Sequence, residues 1–187
     1  MALQLVTLDS ISASERSERI NSARLIFEET APPLSSLSPD ARQAFFQKYF
    51  GVYLATPESF YLAIEQGFVL GYLAGAPQTL PLHFSLNPYL EQFRTEIESH
   101  YPAHLHMNLT AAARGMGLGS RLIAEFMTDL GKRAPAPRGV HIVTSKDAEN
   151  VRFYLKNGFG KAKEAGTLLL MGRDQHGSED STVPNQV

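Results

Sequence analysis

The chain has 187 residues, 43% of them hydrophobic, so it can bury one substantial core but is short for two domains. Its formal charge of −2, from 17 basic and 19 acidic residues, gives no electrostatic reason to expect nucleic acid or an anionic membrane as partner. It has no cysteine, which excludes disulfides, thiol nucleophiles and thiolate metal sites. Without a secretion signal or a run of about 20 apolar residues, we expect a cytoplasmic protein.

The chain opens with elements predicted as a strand, two helices and two further strands, at 3–8, 15–29, from 39 onward, 59–65 and 68–75. Pro32-Pro33 ends the first helix. Ser38 is a typical N-cap and Pro39 a typical first helical residue, so together they set the start of the second helix. Gln66-Gly67 is a two-residue connection with glycine second, which indicates a hairpin. A long, polar and aromatic connection then covers 76–102, with one predicted helix at 88–99.

Residues 104–121 are the most informative stretch of the chain. Polar and apolar residues alternate over 104–110, as in a strand with one packed face and one face that can meet a ligand. The packed face carries Leu105, Met107 and Leu109, and the other face His104, His106, Asn108 and Thr110. Gly115, Gly117 and Gly119 follow at alternate positions, where missing Cβ atoms let main-chain N–H groups turn toward one point.

A helix begins directly after this loop and ends near Gly131. Its apolar residues at helical spacing are Leu118, Leu122, Ile123, Phe126, Met127 and Leu130. The free N–H groups and the positive end of the dipole at its N-terminus favour an anion. The strand, the glycine loop and the helix therefore predict an anion site.

The last third of the chain predicts a strand, a helix and two closing strands, at 139–145, 147–157, 161–164 and 167–171. The strands at 104–110 and 139–145 flank a helix, and the right-handed crossover of such a unit makes them parallel. We expect one domain over residues 1–174 and a polar, flexible tail over 175–187.

The glycine spacing narrows the choice of anion. A Walker loop ends in Gly-Lys-Ser or Gly-Lys-Thr, and the dinucleotide fingerprint has its third glycine three residues after the second; neither is present. What remains is Arg-x-x-Gly-x-Gly, read from Arg114, Gly117 and Gly119, which resembles the acyl-CoA pyrophosphate loop of the GNAT superfamily of N-acetyltransferases.

The order of elements is similar to that of the same family over about residues 3–172. The resemblance implies an α+β fold (an α/β mixed sheet). The central mixed, mostly antiparallel sheet would have parallel fourth and fifth strands and helices on both faces.

A second motif consists of Tyr154, three further residues and Gly158-Phe159, and it looks like the tyrosine signature of this family. In the family this tyrosine donates a proton toward the coenzyme A sulfur as the thiolate leaves, so the resemblance implies a catalytic role for Tyr154. A phenol with a pKa of about 10 is protonated at neutral pH. The competing interpretation is a core tyrosine on an amphipathic helix.

The resemblance also implies acetyl-CoA as co-substrate. Main-chain groups of the loop would bind the pyrophosphate, and those of 108–110 would bind the pantetheine arm and polarise the thioester. The implied cofactor-binding residues are Asn108, Leu109, Thr110, Arg114, Gly115, Met116, Gly117, Leu118, Gly119, Ser120, Asn150 and Tyr154.

Two residues depart from the family pattern. The run Tyr101 to His106 resembles acetyltransferase-like domains that also occur fused to some O-GlcNAc hydrolases, in which an aspartate often stands at the position of Asn108. An amide cannot act as a general base. The family also tends to have asparagine seven residues before the tyrosine, where this chain has Asp147; Asn150 is the nearest asparagine.

The leading hypothesis is an acyl-CoA-dependent N-acetyltransferase, in which an amine attacks acetyl-CoA directly in a ternary complex. The alternatives are a catalytically silent coenzyme A or acetyl-CoA binding module, motivated by Asn108, and a structural domain without a cofactor. His104 and His106 could hold a metal, but two imidazoles without a carboxylate are more typical of cleft or core residues, so we predict no metal.

The expected acceptor is a small-molecule amine or an amine of a peptide or protein. The segment 76–102, which is expected to cover it, carries no ligand motif that would name it. We expect no nucleic acid or membrane partner, and a monomer or homodimer.

Overall fold

The computed structural model describes residues 2–31 and 34–175, so the predicted break at Pro32-Pro33 lies outside the described residues. The described strands are β1 (Gln4–Thr7), β2 (Phe60–Glu65), β3 (Phe68–Ala76), β4 (Ala103–Leu109), β5 (Gly139–Ser145), β6 (Gly160–Ala165) and β7 (Leu168–Asp174). The described α-helices are α1 (Ala13–Thr30), α2 (Pro39–Tyr49), α3 (Pro81–Leu86), α4 (Arg94–Ser99), α5 (Leu118–Gly131) and α6 (Asn150–Lys156).

The strands form one seven-stranded sheet in the order β1-β2-β3-β4-β5-β7-β6. Neighbouring strands are antiparallel except β4 and β5, which are parallel. This confirms the predicted mixed sheet. Gln66 and Gly67 both have positive φ, 51° and 85°, as the two central residues of the predicted tight hairpin require.

Helices cover both faces of the sheet, as predicted. On one face α5 and α6 pack against strand residues that include Leu73 and Leu105. All six apolar α5 positions predicted to pack are buried. On the other face α1 and α2 pack against residues that include Leu62 and Tyr72. Because side chains alternate along a strand, each core strand supplies both layers.

The connection 76–102 differs from its prediction. The single helix expected at 88–99 is a 3₁₀ helix (Pro88–Phe93) followed by α4, and α3 was not predicted. Pro81 and Pro88 each stand at the start of a short helix, where proline favours a new helical segment. Phe84, Leu90, Phe93 and Ile97 pack on Leu170 of β7, so the segment covers the sheet on the α1 and α2 face.

The helix predicted at 147–157 begins later, at Asn150. The N–H of Lys146 donates to the Thr167 carbonyl (2.9 Å), which holds the chain after β5 in a turn instead of a helix. At the other end of the domain, Gln175 donates from its main-chain N–H to the Arg138 carbonyl. The rest of the predicted tail, 176–187, lies outside the described residues.

Candidate active site

The sheet opens between its two parallel strands. β4 and β5 pair only at Ala103–Val140 and His104–His141. Beyond these pairs, β4 continues along β3 as far as Leu109, and β5 follows β7. We call the space between residues 105–109 and 142–145 the β4–β5 gap.

The ladder between β3 and β4 decides which main-chain groups face this gap. The Thr110 N–H donates to the Leu70 carbonyl (2.9 Å), and the register from there to Asn108 and Tyr72 is regular. Hydrogen-bonding direction alternates along an antiparallel strand, so Asn108 and Thr110 direct their main-chain groups to β3. Those of Met107 and Leu109 point to the gap instead. Among the three residues predicted to contact pantetheine, 108–110, Leu109 is therefore the one whose main-chain groups do not pair with β3.

The predicted anion site lies at one end of this gap, at the N-terminus of α5. Gly115 and Gly117 have φ of 78° and 74°, and a Cβ added to either would meet nothing within 4 Å. No side chain caps α5, and its first intrahelical bond is Arg121 N–H to the Gly117 carbonyl (3.2 Å). The N–H groups of residues 118–120, in the first turn of α5, are thus open toward a ligand.

Gly119 serves a different purpose from the other two loop glycines. A Cβ added there would lie 2.9 Å from Cζ of Phe153 and 3.2 Å from Cε of Met107. The glycine therefore allows α5 to pack closely against α6 and β4.

One groove brings most of the predicted cofactor residues together. Its lining includes Leu109, Arg114, Gly115, Gly117, Leu118, Gly119, Ser120 and Asn150. The side chain of Asn150 accepts a hydrogen bond from Thr144 Oγ1 (3.0 Å), which orients it at the rim. Met116 is 67% exposed and lies outside this lining. Glu149 and Phe153 also line the groove and were not predicted, because they match no motif.

Tyr154 is buried on the α5 face, between Phe153 and Phe159. Burial raises the pKa of Tyr154 to about 12, so the phenol keeps its proton at neutral pH. Tyr154 is thus a buried core residue, and it is not among the residues that line the groove.

The opposite face of the gap holds a cavity that the sequence did not predict; we call it the histidine chamber. Its cavity volume is about 70 Å³, and it has an open mouth. Its lining is Lys48, Tyr49, Tyr53, His83, Asn87, Tyr89, Leu90, His104, Leu105, His106, His141, Ile142 and Val143. The connection 76–102 contributes four of these residues, so it forms part of the chamber wall.

Hydrogen bonds fix the histidine rings of the chamber. His141 Nδ1 donates to the Tyr101 carbonyl (2.6 Å), which leaves a lone pair on Nε2. His83 Nδ1 accepts from the Leu80 N–H (2.9 Å). Nδ1 of His104 lies 3.0 Å from the Tyr53 hydroxyl, while its Nε2 is buried without a partner among the described residues.

Burial keeps these rings uncharged. It lowers the pKa of His106 and of His141 to about 4, and that of His104 well below the usual range. Neighbouring histidines lower the pKa of His104 further. Within the described ranges, no group of three or more histidine and acidic residues is arranged to hold a metal ion. The prediction of no metal stays a prediction.

Asn108 has a structural partner. Its Nδ2 donates to the hydroxyl of Tyr72 (2.8 Å), and Tyr72 is fully buried. The amide thus supplies the donor that a buried phenol oxygen needs. An aspartate here could accept from the Tyr72 hydroxyl but could not donate to its oxygen as the amide does.

Comparisons with known proteins agree with this architecture. The family model described as the acetyltransferase (GNAT) family matches residues 23–159. No curated protein sequence matches the chain. Among the helices described at 2–31 and 34–175, none has the length and apolar character needed to cross a membrane.

Several solved structures resemble the chain. SsHAT is 19% identical with a TM-score of 0.72, and the match covers 95% of this chain and 100% of that one. PH1933 from Pyrococcus horikoshii OT3 is 15% identical with a TM-score of 0.68, covering 94% and 99%. An N-acetyltransferase from Staphylococcus aureus Mu50 is 17% identical with a TM-score of 0.57, covering 94% and 100%. At these sequence identities the similarity shows a shared fold and nothing more specific.

Proposed function

Because the chain belongs to the GNAT acetyltransferase family, we propose that it transfers the acetyl group of acetyl-CoA to an amine by direct attack in a ternary complex. The observation that carries this proposal is the β4–β5 gap, which has a groove of open N–H groups on one face and a polar cavity, the histidine chamber, on the other. Two ligands could thus meet in the gap from opposite faces. No covalent enzyme intermediate is needed.

In this proposal the α5 N-terminus binds the pyrophosphate, and Arg114, which is exposed beside the loop, adds a positive charge. Main-chain groups of Met107 and Leu109 would orient the pantetheine arm and the thioester, since β5 does not pair with them. Acetyl-CoA itself supplies an activated acetyl group. Tyr154, which stays protonated at neutral pH, would hold its proton for the departing sulfur.

The catalytically silent binding module stays the alternative, because Asn108 offers no carboxylate base. The likeness of residues 101–106 to domains fused to O-GlcNAc hydrolases remains an interpretation of the sequence. The cytoplasmic location and the monomeric or homodimeric state stay predictions.

The test combines a thermal melt with a turnover assay. Saturating acetyl-CoA should stabilise the fold, by about 2.7 kcal/mol at one hundred times its Kd. For a chain of this size each kcal/mol raises Tm by about 2–4 °C. Coenzyme A released from acetyl-CoA with an amine panel measures transfer. A shift without turnover favours the binding module, and an unchanged Tm contradicts both.

A further inference from the structure

The histidine chamber has no acidic wall. None of the described residues that line it is an aspartate or glutamate. A cationic ammonium entering it would lose hydration without gaining a counter-ion, which is strongly unfavourable. It would also approach Lys48, a like charge. The chamber therefore disfavours acceptors that arrive protonated.

Its hydrogen-bonding groups suit an uncharged ligand. Nε2 of His141 carries a lone pair because Nδ1 is the donor to Tyr101. Nε2 of His104 is buried without a partner among the described residues, and the residue as a whole is only 7% exposed. His104 lines the chamber, and a buried ring nitrogen without a partner favours a polar group close by. A neutral amine can donate an N–H to the lone pair of His141 Nε2, and its own nitrogen lone pair can accept from a ring N–H.

The remaining walls suit a flat ring. Tyr49, Tyr53 and Tyr89 contribute aromatic surface, and the His83 and His104 rings lie edge to face with centroids 4.4 Å apart. Aromatic surfaces bind flat rings by offset or edge-to-face stacking.

Lys48 adds a charge preference to the chamber. Its Nζ lies 4.8 Å from the ring centroids of both Tyr49 and Tyr89. It makes no ion pair with an acidic residue in the described part of the chain. A partly exposed ammonium between two rings, without an acid partner, is suited to a ligand carboxylate.

We propose that the acceptor is an aromatic amine bearing a carboxylate, of the aminobenzoate class. This proposal rests on the proposed function and names its acceptor. The ring lies between the tyrosines, the carboxylate faces Lys48, and the amino group points through the gap. Such an amine is uncharged at neutral pH, so it needs no base to remove a proton before attack. That agrees with an amide at Asn108 in place of a carboxylate.

The reaction balances without another reagent. The amine nitrogen forms a bond to the acetyl carbon as the carbon–sulfur bond breaks. The nitrogen then loses one proton, to water or to Nε2 of a chamber histidine. The sulfur gains one proton and leaves as the coenzyme A thiol. The products are an N-acetylaminobenzoate and coenzyme A.

The experiment measures kcat/KM at pH 7 for 4-aminobenzoate, aniline, benzylamine and spermidine. Release of coenzyme A can be followed with a thiol reagent without background, since the protein has no cysteine. We expect 4-aminobenzoate to exceed aniline by about tenfold, the value of one charge-assisted contact, and to exceed both alkyl amines by more. Equal or faster turnover of benzylamine or spermidine overturns the acceptor assignment and leaves the transferase intact.

Lys48→Met tests the carboxylate contact. It should raise KM for 4-aminobenzoate about tenfold and leave that for aniline within about twofold. The matched control is Lys132→Met, whose ammonium pairs with Asp129 on the surface and lies outside the chamber lining. It should change neither value. Equal effects of Lys48→Met on both amines would overturn the predicted contact.

If no amine is turned over, a binding measurement tests the acceptor assignment separately from the proposed transferase function. Calorimetry of 4-aminobenzoate with the protein, with and without saturating coenzyme A, should show one site that Lys48→Met weakens. Absence of binding in both conditions overturns the acceptor assignment. An unchanged melt with acetyl-CoA overturns the proposed function separately.

Discussion

On the α5 face of the β4–β5 gap, the groove consists mainly of residues 109–120, with Glu149, Asn150 and Phe153 added from the α6 region. On the opposite face, the histidine chamber draws its lining from segments 48–53, 83–90, 104–106 and 141–143. The groove offers main-chain N–H groups, and the chamber offers side chains. A ligand shared by a whole family can be bound by the backbone of one local motif, whereas a particular acceptor is selected by side chains from distant segments.

The two faces also differ in charge. The groove combines the positive end of α5 with the exposed Arg114, which suits an anion. The chamber holds neutral imidazoles, with Lys48 as its one cation among the described residues. Substitutions on one face should therefore leave the ligand of the other face nearly unaffected, and the predictions below test that separation.

Tyr154→Phe should have the largest effect. It removes the proposed proton donor and keeps the ring that packs against Phe159. We expect turnover to fall by about 10²–10⁴-fold, typical of a lost general acid, with the acetyl-CoA melt shift unchanged. Steady-state kinetics and thermal melts measure the two quantities. Turnover at the wild-type rate would make Tyr154 a packing residue only.

Gly117→Asp and Gly117→Asn form a matched pair at the groove. Both side chains tolerate the positive φ of 74°, and only aspartate adds a negative charge. We expect aspartate to weaken acetyl-CoA binding by about 100-fold relative to asparagine. Without ligand, the Gly117→Asp protein should be at least as stable as the Gly117→Asn protein, because a negative N-cap residue favours the helix. Equal Kd values by calorimetry would argue against an anion at this loop.

His141→Asn tests the neutral chamber through stability. An unfolded histidine binds a proton at about pH 6.5, whereas burial lowers the pKa of His141 to about 4. Between these values the unfolded state holds more protons, so the free energy of unfolding decreases as pH falls. Each such histidine contributes about 1.4 kcal/mol per pH unit.

Asparagine at position 141 can keep the donor to Tyr101 but does not titrate. We expect its free energy of unfolding to fall less steeply than that of wild type from pH 6.5 toward pH 4. The two slopes should differ by the contribution of about one bound proton. Urea unfolding across this window measures both slopes. His106, whose pKa is lowered by burial alone, cancels in the comparison, and burial, the largest cause of the low pKa of His104, is common to both proteins. Identical slopes would contradict a neutral, buried His141.

Asn108→Asp should have the smallest effect. A carboxylate could accept from the Tyr72 hydroxyl that now accepts from the amide. It would offer a base only to amines that arrive protonated, so we expect a gain of about a few fold for spermidine and none for 4-aminobenzoate. Both kcat/KM values come from the same variant, which controls for altered folding. A gain for both amines would show that proton removal from the acceptor limits the reaction generally.

Much of the fold could be predicted because its signals are local. The hydrophobic spacing of α5, the Gln66-Gly67 turn and the Ser38-Pro39 cap each act within a few residues. The short helices of 76–102 and the late start of α6 could not be predicted. They depend on contacts between distant residues, such as the bond from Lys146 to the Thr167 carbonyl.

By itself, the sequence determined the backbone of the groove, since the glycine spacing at 115–119 directly encodes the positive φ angles and the uncapped start of α5. Only the tertiary structure decided three other features: the separate packing role of Gly119, the bond between Asn108 and Tyr72, and the histidine chamber. The physical reason is that cavities and buried hydrogen bonds form between segments far apart in the chain. In the sequence, His141 is only one residue of an alternating strand. In the folded protein, the Tyr101 carbonyl fixes its tautomer and the His104 ring lies beside it.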